Sequence, residues 1–186
     1  MTIRNAGSFL SLVAFALAAS VLVGCGPNIT KLSRQLEDPD PTVRWDAAEA
    51  LGRSGKSRAV EPLIKALADE ETGVRNAAAE GLGKLGKPAI APLSELLKDV
   101  EPEMRKLATF ALGQSTCPAA AAPLAEALEK DPAPAVRIEA AGALGNLGGE
   151  TAESALATAA NKEKDKNVKA AIVQALKSLL AGRHTN

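Results

Sequence analysis

The sequence predicts an all-α protein, built as a solenoid of stacked helix pairs. Three observations support this fold class. One phrase recurs at a nearly fixed interval, its apolar residues have helical spacing, and a second apolar segment follows each copy. The chain has 186 residues, of which 46% are hydrophobic and 24% charged, an ordinary globular composition. The repeat, rather than the composition, therefore defines the class.

The repeated phrase occurs five times. It reads VRWDAAEALGRSG at 43–55, VRNAAAEGLGKLG at 74–86 and VRIEAAGALGNLG at 136–148, with weaker copies elsewhere. The leading residues follow one another at intervals of 30 to 32 positions and are Val43, Val74, Met104, Val136 and Val168. Units of this size are too small to bury their own apolar face, so stacked neighbours must supply the core.

Each copy of the phrase is predicted to be an amphipathic helix. Val43, Ala47, Ala50 and Leu51 fall at i, i+4, i+7 and i+8, which places them on one stripe. A small residue precedes the leucine in every copy, and we expect it to let a neighbouring helix backbone approach closely. The glycines that follow the first four leucines are interpreted as helix C-caps. They are Gly52, Gly83, Gly113 and Gly145.

A second helix is predicted after each of the first four copies. The segments RAVEPLIKAL, PAIAPLSELL and AAAAPLAEAL each contain a proline, and AESALATAA takes the same place in the fourth unit. Pro62, Pro92 and Pro123 are expected in the first turn of these helices, where a proline removes no intrahelical hydrogen bond.

Acidic and basic residues also recur with the repeat. An aspartate in each turn between units precedes an arginine of the next helix by six positions, and Glu163 and Lys169 repeat this spacing. The pairs are Asp38 and Arg44, Asp69 and Arg75, Asp99 and Arg105, and Asp131 and Arg137. Four similar pairs along a rod cannot form one active site, so we expect a structural ladder between units. As exposed pairs, each would add about 0.2–1 kcal/mol.

The period, the pattern D…VR..AA.ALG..G and the following A..PL...L resemble HEAT repeats, in particular the short phycobilisome-lyase HEAT-like type. The resemblance covers residues 29–182 and implies an α-solenoid. It implies little about function, because such repeats occur in many unrelated proteins. We expect about four full helix pairs, with NITKLSRQLED as a capping helix at one end and NVKAAIVQALKSLLAG at the other.

The N-terminus is predicted to be a lipoprotein signal peptide at 1–24. A cationic start with Arg4 precedes an apolar run from Phe9 to Val23, which is short for a membrane span. The segment LVGC resembles the lipobox of bacterial lipoproteins, in which the cysteine, here Cys25, is lipidated. An ordinary secretory signal and an uncleaved anchor are the alternatives. Residues 25–28 would be the lipidated cysteine with a short tether, and residues 183–186 a tail.

The residues offer no catalytic site and no cofactor or metal site. Among enzymes with this repeat type, deoxyhypusine hydroxylase uses His-Glu dipeptides for a di-iron site, whereas the only histidine here, His184, is followed by Thr185. Bilin lyases bind a large tetrapyrrole, and Trp45 and Phe110 are the only aromatic residues after the signal segment. Cys117 has no plausible base partner for nucleophilic catalysis. It is interpreted as a small filler at a helix junction, or as a reactive or interchain thiol.

The remaining candidates are surface contacts for a protein partner. Trp45 and Phe110 fall in mostly polar columns of the repeat, so each is either exposed as a contact point or folded back on its neighbours. Lys65, Glu95 and Glu126 share one column of the second helices and are expected on an inner, concave face. With 22 basic and 22 acidic residues and no basic cluster along the chain, no nucleic-acid site is expected.

We therefore predict a non-enzymatic, lipid-anchored scaffold or adaptor of the bacterial cell envelope, in contact with protein partners and with the membrane through its anchor. Because Gly26 rather than aspartate follows Cys25, the outer membrane is slightly favoured in a Gram-negative cell. Two alternatives remain: an accessory factor for chromophore or cofactor attachment, and a purely structural envelope protein.

Overall fold

The computed structural model describes residues 28–183, which form ten α-helices, two 3₁₀ turns and no strand. The 3₁₀ turns are Ser57–Ala59 and Pro118–Ala120. The helices are α1 (Ile29–Gln35), α2 (Pro41–Arg53), α3 (Val60–Ala66), α4 (Thr72–Leu85), α5 (Lys87–Leu96), α6 (Pro102–Gln114), α7 (Ala121–Lys130), α8 (Pro134–Leu147), α9 (Gly149–Lys162) and α10 (Lys166–Arg183).

This architecture confirms the predicted all-α solenoid. Helix α1 packs against the start of the array, four helix pairs follow, and α10 closes the far end. The even-numbered helices α2, α4, α6, α8 and α10 stack side by side in a first row. The odd-numbered helices α3, α5, α7 and α9 form a second row, each packed on its partner and on the next unit.

Two columns of leucine form the core between the rows. Each unit contributes one leucine from its first-row helix and one from its second-row helix, and all eight side chains are fully buried. They are Leu51, Leu82, Leu112 and Leu144 in the first row and Leu63, Leu93, Leu124 and Leu156 in the second. Burial of one leucine is worth about 1.5–3 kcal/mol, so this core is the main source of stability. Leu176 of α10 is only half-buried, because among the described residues no helix packs on its outer side.

The glycines after the first-row leucines do not cap helices, so that interpretation is wrong. Gly52, Gly83, Gly113 and Gly145 lie inside their helices, and none has a positive φ. A Cβ on Gly113 would lie 2.6 Å from Ala143 Cβ, and one on Gly145 would lie 2.8 Å from Ala175 Cβ. Each glycine therefore contacts the small residue that precedes the leucine of the next unit. The two columns together allow the close backbone approach that was expected from the small column alone.

The tight turns within units use other glycines. Gly86 between α4 and α5 has φ +66°, and Gly148 between α8 and α9 has φ +69°. This left-handed region is costly for residues with a Cβ, so glycine allows each pair to be joined with almost no loop.

Pro62 and Pro123 lie in the first turn of α3 and α7, as expected, but Pro92 lies inside α5. In the second unit Pro88 stands at the start of α5, so this helix begins about one turn earlier. The equivalent residues of the first and third units form the 3₁₀ turns instead.

The predicted signal peptide (1–24), Cys25 and the tail residue His184 lie outside the described residues. Within 28–183, no helix is both long enough and apolar enough to cross a membrane.

Candidate functional site

Three arginines of the first row form ion pairs with acids in the following turn. Arg44 donates from Nε to Asp69 Oδ2 at 2.8 Å and from Nη2 to Asp69 Oδ1 at 2.9 Å. Arg105 donates to Asp131 in the same two-point manner, at 2.7 and 3.0 Å. Arg137 donates to Glu163 at 2.9 and 3.2 Å.

The partner of each arginine differs from the one that the six-residue spacing suggested. The acid that accepts from the guanidinium lies 25 or 26 positions later. The acid six positions earlier contributes its backbone carbonyl: Arg105 Nη1 donates to Asp99 O at 2.9 Å, and Arg137 Nη1 to Asp131 O at 2.9 Å. Each arginine therefore joins the turn before its helix to the turn after the next helix.

These pairs are not exposed, so the expectation of exposed pairs is wrong. The exposed fractions of the six side chains are between 5% and 15%. Removal of one member of such a pair would leave the other member buried without a charged partner. Breaking one of these pairs therefore costs more than breaking a surface pair. The ladder therefore lies mostly buried along the edge of the solenoid that the turns between units form.

One rung of the ladder is missing. Arg75 donates to the carbonyls of Asp69 and Glu70 and to Thr72 Oγ1, each at 2.8 Å, but no ion pair joins it to Asp99. The second unit is one residue shorter between its leucine and its proline than the first and third units, because α5 follows Gly86 directly. We attribute the missing pair to this shorter connection.

The ladder also shifts the titration of its groups. Burial disfavours the charged form of Asp69, but hydrogen bonds from Arg44 and from the Glu71 N–H outweigh it, so the pKa of Asp69 is lowered. The hydrogen bond from Arg137 lowers the pKa of Glu163. Hydrogen bonds from the guanidinium groups to Asp69 and Asp131 raise the pKa of Arg44 and Arg105.

The two aromatic residues occupy different environments. Trp45 on α2 is 42% exposed beside the start of α4, where a Cβ on Gly73 would lie 3.9 Å from Trp45 Cδ1. Phe110 on α6 is half-buried against the core and lines a groove of about 420 Å³ with Ile138 and Glu139 of α8. Burial raises the pKa of Glu139.

Lys65, Glu95 and Glu126 are all exposed on the second row. Each forms an ion pair within its own helix: Lys65 with Glu61, Glu95 with Lys98, and Glu126 with Lys130. Such pairs hold these side chains loosely. Glu126 also lines a groove.

That groove, with a volume of about 1330 Å³, lies between α7 and α9 of the second row. Its floor is apolar, with Leu128, Ala155 and Ala159, and Ser154 and Thr158 add hydroxyl groups. Six carboxylates and four basic groups line the rim, and outside the buried ladder groups Asp131, Arg137 and Glu163 it has four carboxylates and three basic groups. The ion pair of Lys162 with Glu129 at 2.8 Å joins the two helices across it. The volume exceeds the usual range of about 300–1,000 Å³ for small-molecule pockets. Sequence reasoning missed this groove, since it singled out Glu126 as a contact residue but Asp131, Arg137 and Glu163 only as members of the ladder.

The fold also assembles a basic surface that was not expected from the chain. Five exposed basic residues lie at the ends of α2 and α4 or just after them, within the first two units: Arg53, Lys56, Arg58, Lys84 and Lys87. We call this surface the basic edge. No basic cluster is visible along the sequence, because these residues belong to two separate segments.

Cys117 is a half-buried free thiol directly before the 3₁₀ turn Pro118–Ala120, and its N–H donates to Ser115 Oγ at 3.1 Å. Among residues 28–183, no group of histidine, cysteine and acidic residues is arranged to hold a metal ion.

The fold and its surfaces define an α-solenoid repeat protein. The chain belongs to the HEAT repeat family, because the model for HEAT repeats matches residues 29–112 and 90–177. A search among curated proteins found no match.

Solved structures are similar to this chain at low sequence identity. The complex of CpcE and CpcF of phycocyanin lyase from Nostoc sp. PCC7120 has 22% identity and a TM-score of 0.58, over 79% of this chain and 96% of that one. Human deoxyhypusine hydroxylase in complex with glycerol has 19% identity and a TM-score of 0.49, over 82% and 84%. A designed armadillo repeat protein in complex with the peptide (KR)4 has 22% identity and a TM-score of 0.49, over 90% and 92%.

Proposed function

We propose that the protein is a scaffold or adaptor of the bacterial cell envelope, which binds a segment of a protein partner in the groove between α7 and α9. The groove itself carries the proposal. It is open, it has an apolar floor for side chains, and its rim presents charges of both signs for a polypeptide backbone and its polar groups. We propose no enzymatic activity.

The arrangement of the groove suits an extended or helical peptide. Ser154 and Thr158 are exposed one helical turn apart on α9, facing α7 with its exposed Glu126. Excess carboxylate on the rim favours a partner segment that carries lysine or arginine. The ladder pair of Arg137 with Glu163 holds the turn at the end of the groove in place.

A photo-crosslinking amino acid at Ser154 tests this proposal in the native cell. We expect it to capture one defined partner, and the same probe at the exposed Asn76 of α4 to capture none. The double variant Ser154→Arg/Thr158→Arg should fill the groove and lose the partner, whereas Asn76→Arg should retain it. Equal recovery of the partner with both variants would contradict the site.

The membrane anchor is a separate part of the proposal. It is supported by the sequence alone, where LVGC ends a short apolar run after a cationic start. A diacylglyceryl group on Cys25 with further acyl chains would hold the solenoid firmly, at about 0.8 kcal/mol per buried CH₂. Mass spectrometry of the mature N-terminus should find a lipid-modified Cys25. An unmodified N-terminus at another residue would refute the proposed anchor and would not bear on the proposed groove.

A second candidate is an accessory factor for chromophore attachment. Its support is the similarity of fold to the CpcE and CpcF complex of phycocyanin lyase. The purified protein would then bind an added bilin with a shift of the visible absorbance, and would do so with the groove intact but not in the double variant. The third alternative, a purely structural envelope protein, predicts neither a bilin shift nor a crosslinked partner.

A further inference from the structure

The basic edge is formed by two neighbouring connections. Helices α2 and α4 run in the same direction side by side, because Trp45 contacts Gly73 near their starts and Gly52 contacts Gly81 near their ends. The segments that include their C-terminal ends, 53–58 and 84–87, therefore lie next to each other. Together they carry five basic residues and no acidic residue.

The opposite edge of the solenoid has the opposite charge. The turns before the first-row helices carry eleven carboxylates and one lysine, and they lie at 37–40, 69–71, 99–101, 131–133 and 163–165. Arginines of the ladder neutralise only part of this charge, since Arg44, Arg105 and Arg137 together pair with four of these acids. The equal totals of acid and base in the whole chain therefore conceal a separation of charge across the width of the fold.

The described chain begins on the basic side. Helix α1 contacts the 3₁₀ turn Ser57–Ala59, which belongs to the basic edge, and Asn28 caps the start of α1. The exposed Lys31 in the first turn of α1 adds a further positive charge. A connection of three residues spans at most about 11 Å, so Cys25 is covalently held within that distance of Asn28.

Two ion pairs at this edge would compete only weakly with a negatively charged surface for the basic side chains. Arg53 pairs with Glu49 at 2.9 Å and Lys84 with Glu80 at 3.9 Å, and at least one partner in each pair is half-exposed or more. Such pairs contribute little in water, so a surface with many negative charges can replace them.

We propose that the basic edge lies against anionic lipid headgroups and orients the solenoid, with its acidic edge and the groove rim directed away from the bilayer. This inference rests on the proposed attachment at Cys25, which would hold the basic edge within reach of the headgroups. Attraction between basic side chains and an anionic leaflet falls off within a Debye length, about 10 Å at 0.1 M salt, which matches this short tether.

Amine labelling of the full-length protein on vesicles tests the orientation. The protein, purified from its native membranes, is bound to vesicles of phosphatidylcholine with or without phosphatidylglycerol and treated with a membrane-impermeant amine reagent. We expect Lys56 and Lys84 to react at least about threefold more slowly when phosphatidylglycerol is present. Lys98, Lys130 and Lys164 near the acidic edge should react equally fast in both, and 1 M salt should remove the difference, since the Debye length is then about 3 Å.

Matched variants separate this effect from general membrane proximity. The triple variant Arg53→Gln/Arg58→Gln/Lys87→Gln should lose the protection of Lys56 and Lys84. The control Lys98→Gln/Lys130→Gln/Lys164→Gln changes the net charge equally but should retain it. Protection that is the same at both edges, or that does not depend on phosphatidylglycerol, would overturn the inference. Protection by an RNA duplex but not by these vesicles would overturn it in favour of a nucleic-acid surface.

Vesicle flotation and the mass of the N-terminus distinguish failure of this inference from failure of the anchor. A protein with lipid on Cys25 that floats with both kinds of vesicle, without selective protection, retains the anchor and refutes the orientation. A protein without that lipid that floats only with phosphatidylglycerol vesicles, with Lys56 and Lys84 protected, refutes the anchor and supports the basic edge.

Discussion

At the scale of residues, the close packing of the first-row helices depends on glycines, which have a hydrogen atom where other residues have a Cβ. Gly113 of α6 faces Ala143 of α8, and a Cβ on Gly113 would lie 2.6 Å from Ala143 Cβ and 3.1 Å from its Cα. Gly142, the residue before Ala143, has no atom within 4 Å of such a Cβ. Packing therefore requires glycine at position 113, whereas position 142 has room for a side chain.

Gly113→Ala is expected to destabilise the protein by about 1–3 kcal/mol, because both helix backbones must move apart to admit the methyl group. Gly142→Ala should stabilise it by about 0.5–1 kcal/mol, since alanine loses less backbone entropy in a helix. Chemical denaturation followed by circular dichroism measures both. Equal effects of the two substitutions would refute the close contact.

At the scale of elements, the arginine ladder joins each helix to turns on both sides. Arg105 donates to two backbone carbonyls and to both oxygens of Asp131, whereas Arg75 has the carbonyl contacts without a carboxylate partner. The junction between the second and third units therefore has one connection fewer than its neighbours. These two arginines provide a natural comparison for the value of the ion pair.

Arg105→Ala should lower the free energy of unfolding by about 2–4 kcal/mol. This is slightly below the range for a fully buried pair, because the pair lies at the edge of the fold. Arg75→Ala should cost about 1 kcal/mol, since it removes hydrogen bonds but leaves no buried charge unpaired. Urea titration of both variants gives the difference. A cost for Arg75→Ala equal to that for Arg105→Ala would contradict the missing rung.

The turn acids make stability depend on pH. Because the pKa of Asp69 is lower in the folded protein, its pair with Arg44 stabilises the fold above the ordinary carboxyl range, near pH 4. That contribution is lost as the pH falls through the lowered pKa. Asp69→Asn should therefore be less stable than the wild type at pH 7, with the difference narrowing towards pH 2. Thermal unfolding across this range measures it, with Glu61→Gln on the exposed surface of α3 as control, and a difference that is constant with pH would refute the assignment.

At the scale of the whole molecule, the main contacts join each unit to its immediate neighbours, so the stability of a unit depends mostly on the units beside it. Helix α10 covers the last core layer with Val168 and Ile172, both fully buried. Its Lys177 stands where the preceding first-row helices have the glycine that admits the next helix. A lysine at this position disfavours close stacking of another helix on this face of α10.

A chain that stops after Asp165 should lose hydrogen-exchange protection most strongly in α8 and α9 and least in α2 and α3. The reason is that removal of α10 exposes Leu144 and its layer directly, while the first units keep all their neighbours. Hydrogen exchange with mass spectrometry resolves these segments. Uniform loss of protection along the chain would show that the solenoid unfolds as one cooperative unit.

The sequence by itself determined the fold class, the number of helices and the leucine columns of this protein. The reason is that the period of the repeat and the helical spacing of apolar residues are local properties, which Leu51 and Leu82 share with every other unit. It also singled out the arginines and turn acids as a structural set, and Trp45 as a residue that could be exposed.

The tertiary structure alone decided which groups meet. Arg105 finds Asp131 rather than the carboxylate of Asp99, Gly113 serves packing rather than capping, and the basic residues of two separate connections form one surface. The groove between α7 and α9 likewise exists only between units. All of these contacts join residues about one repeat apart, and the distance between such residues depends on how closely the units stack, which no local pattern specifies.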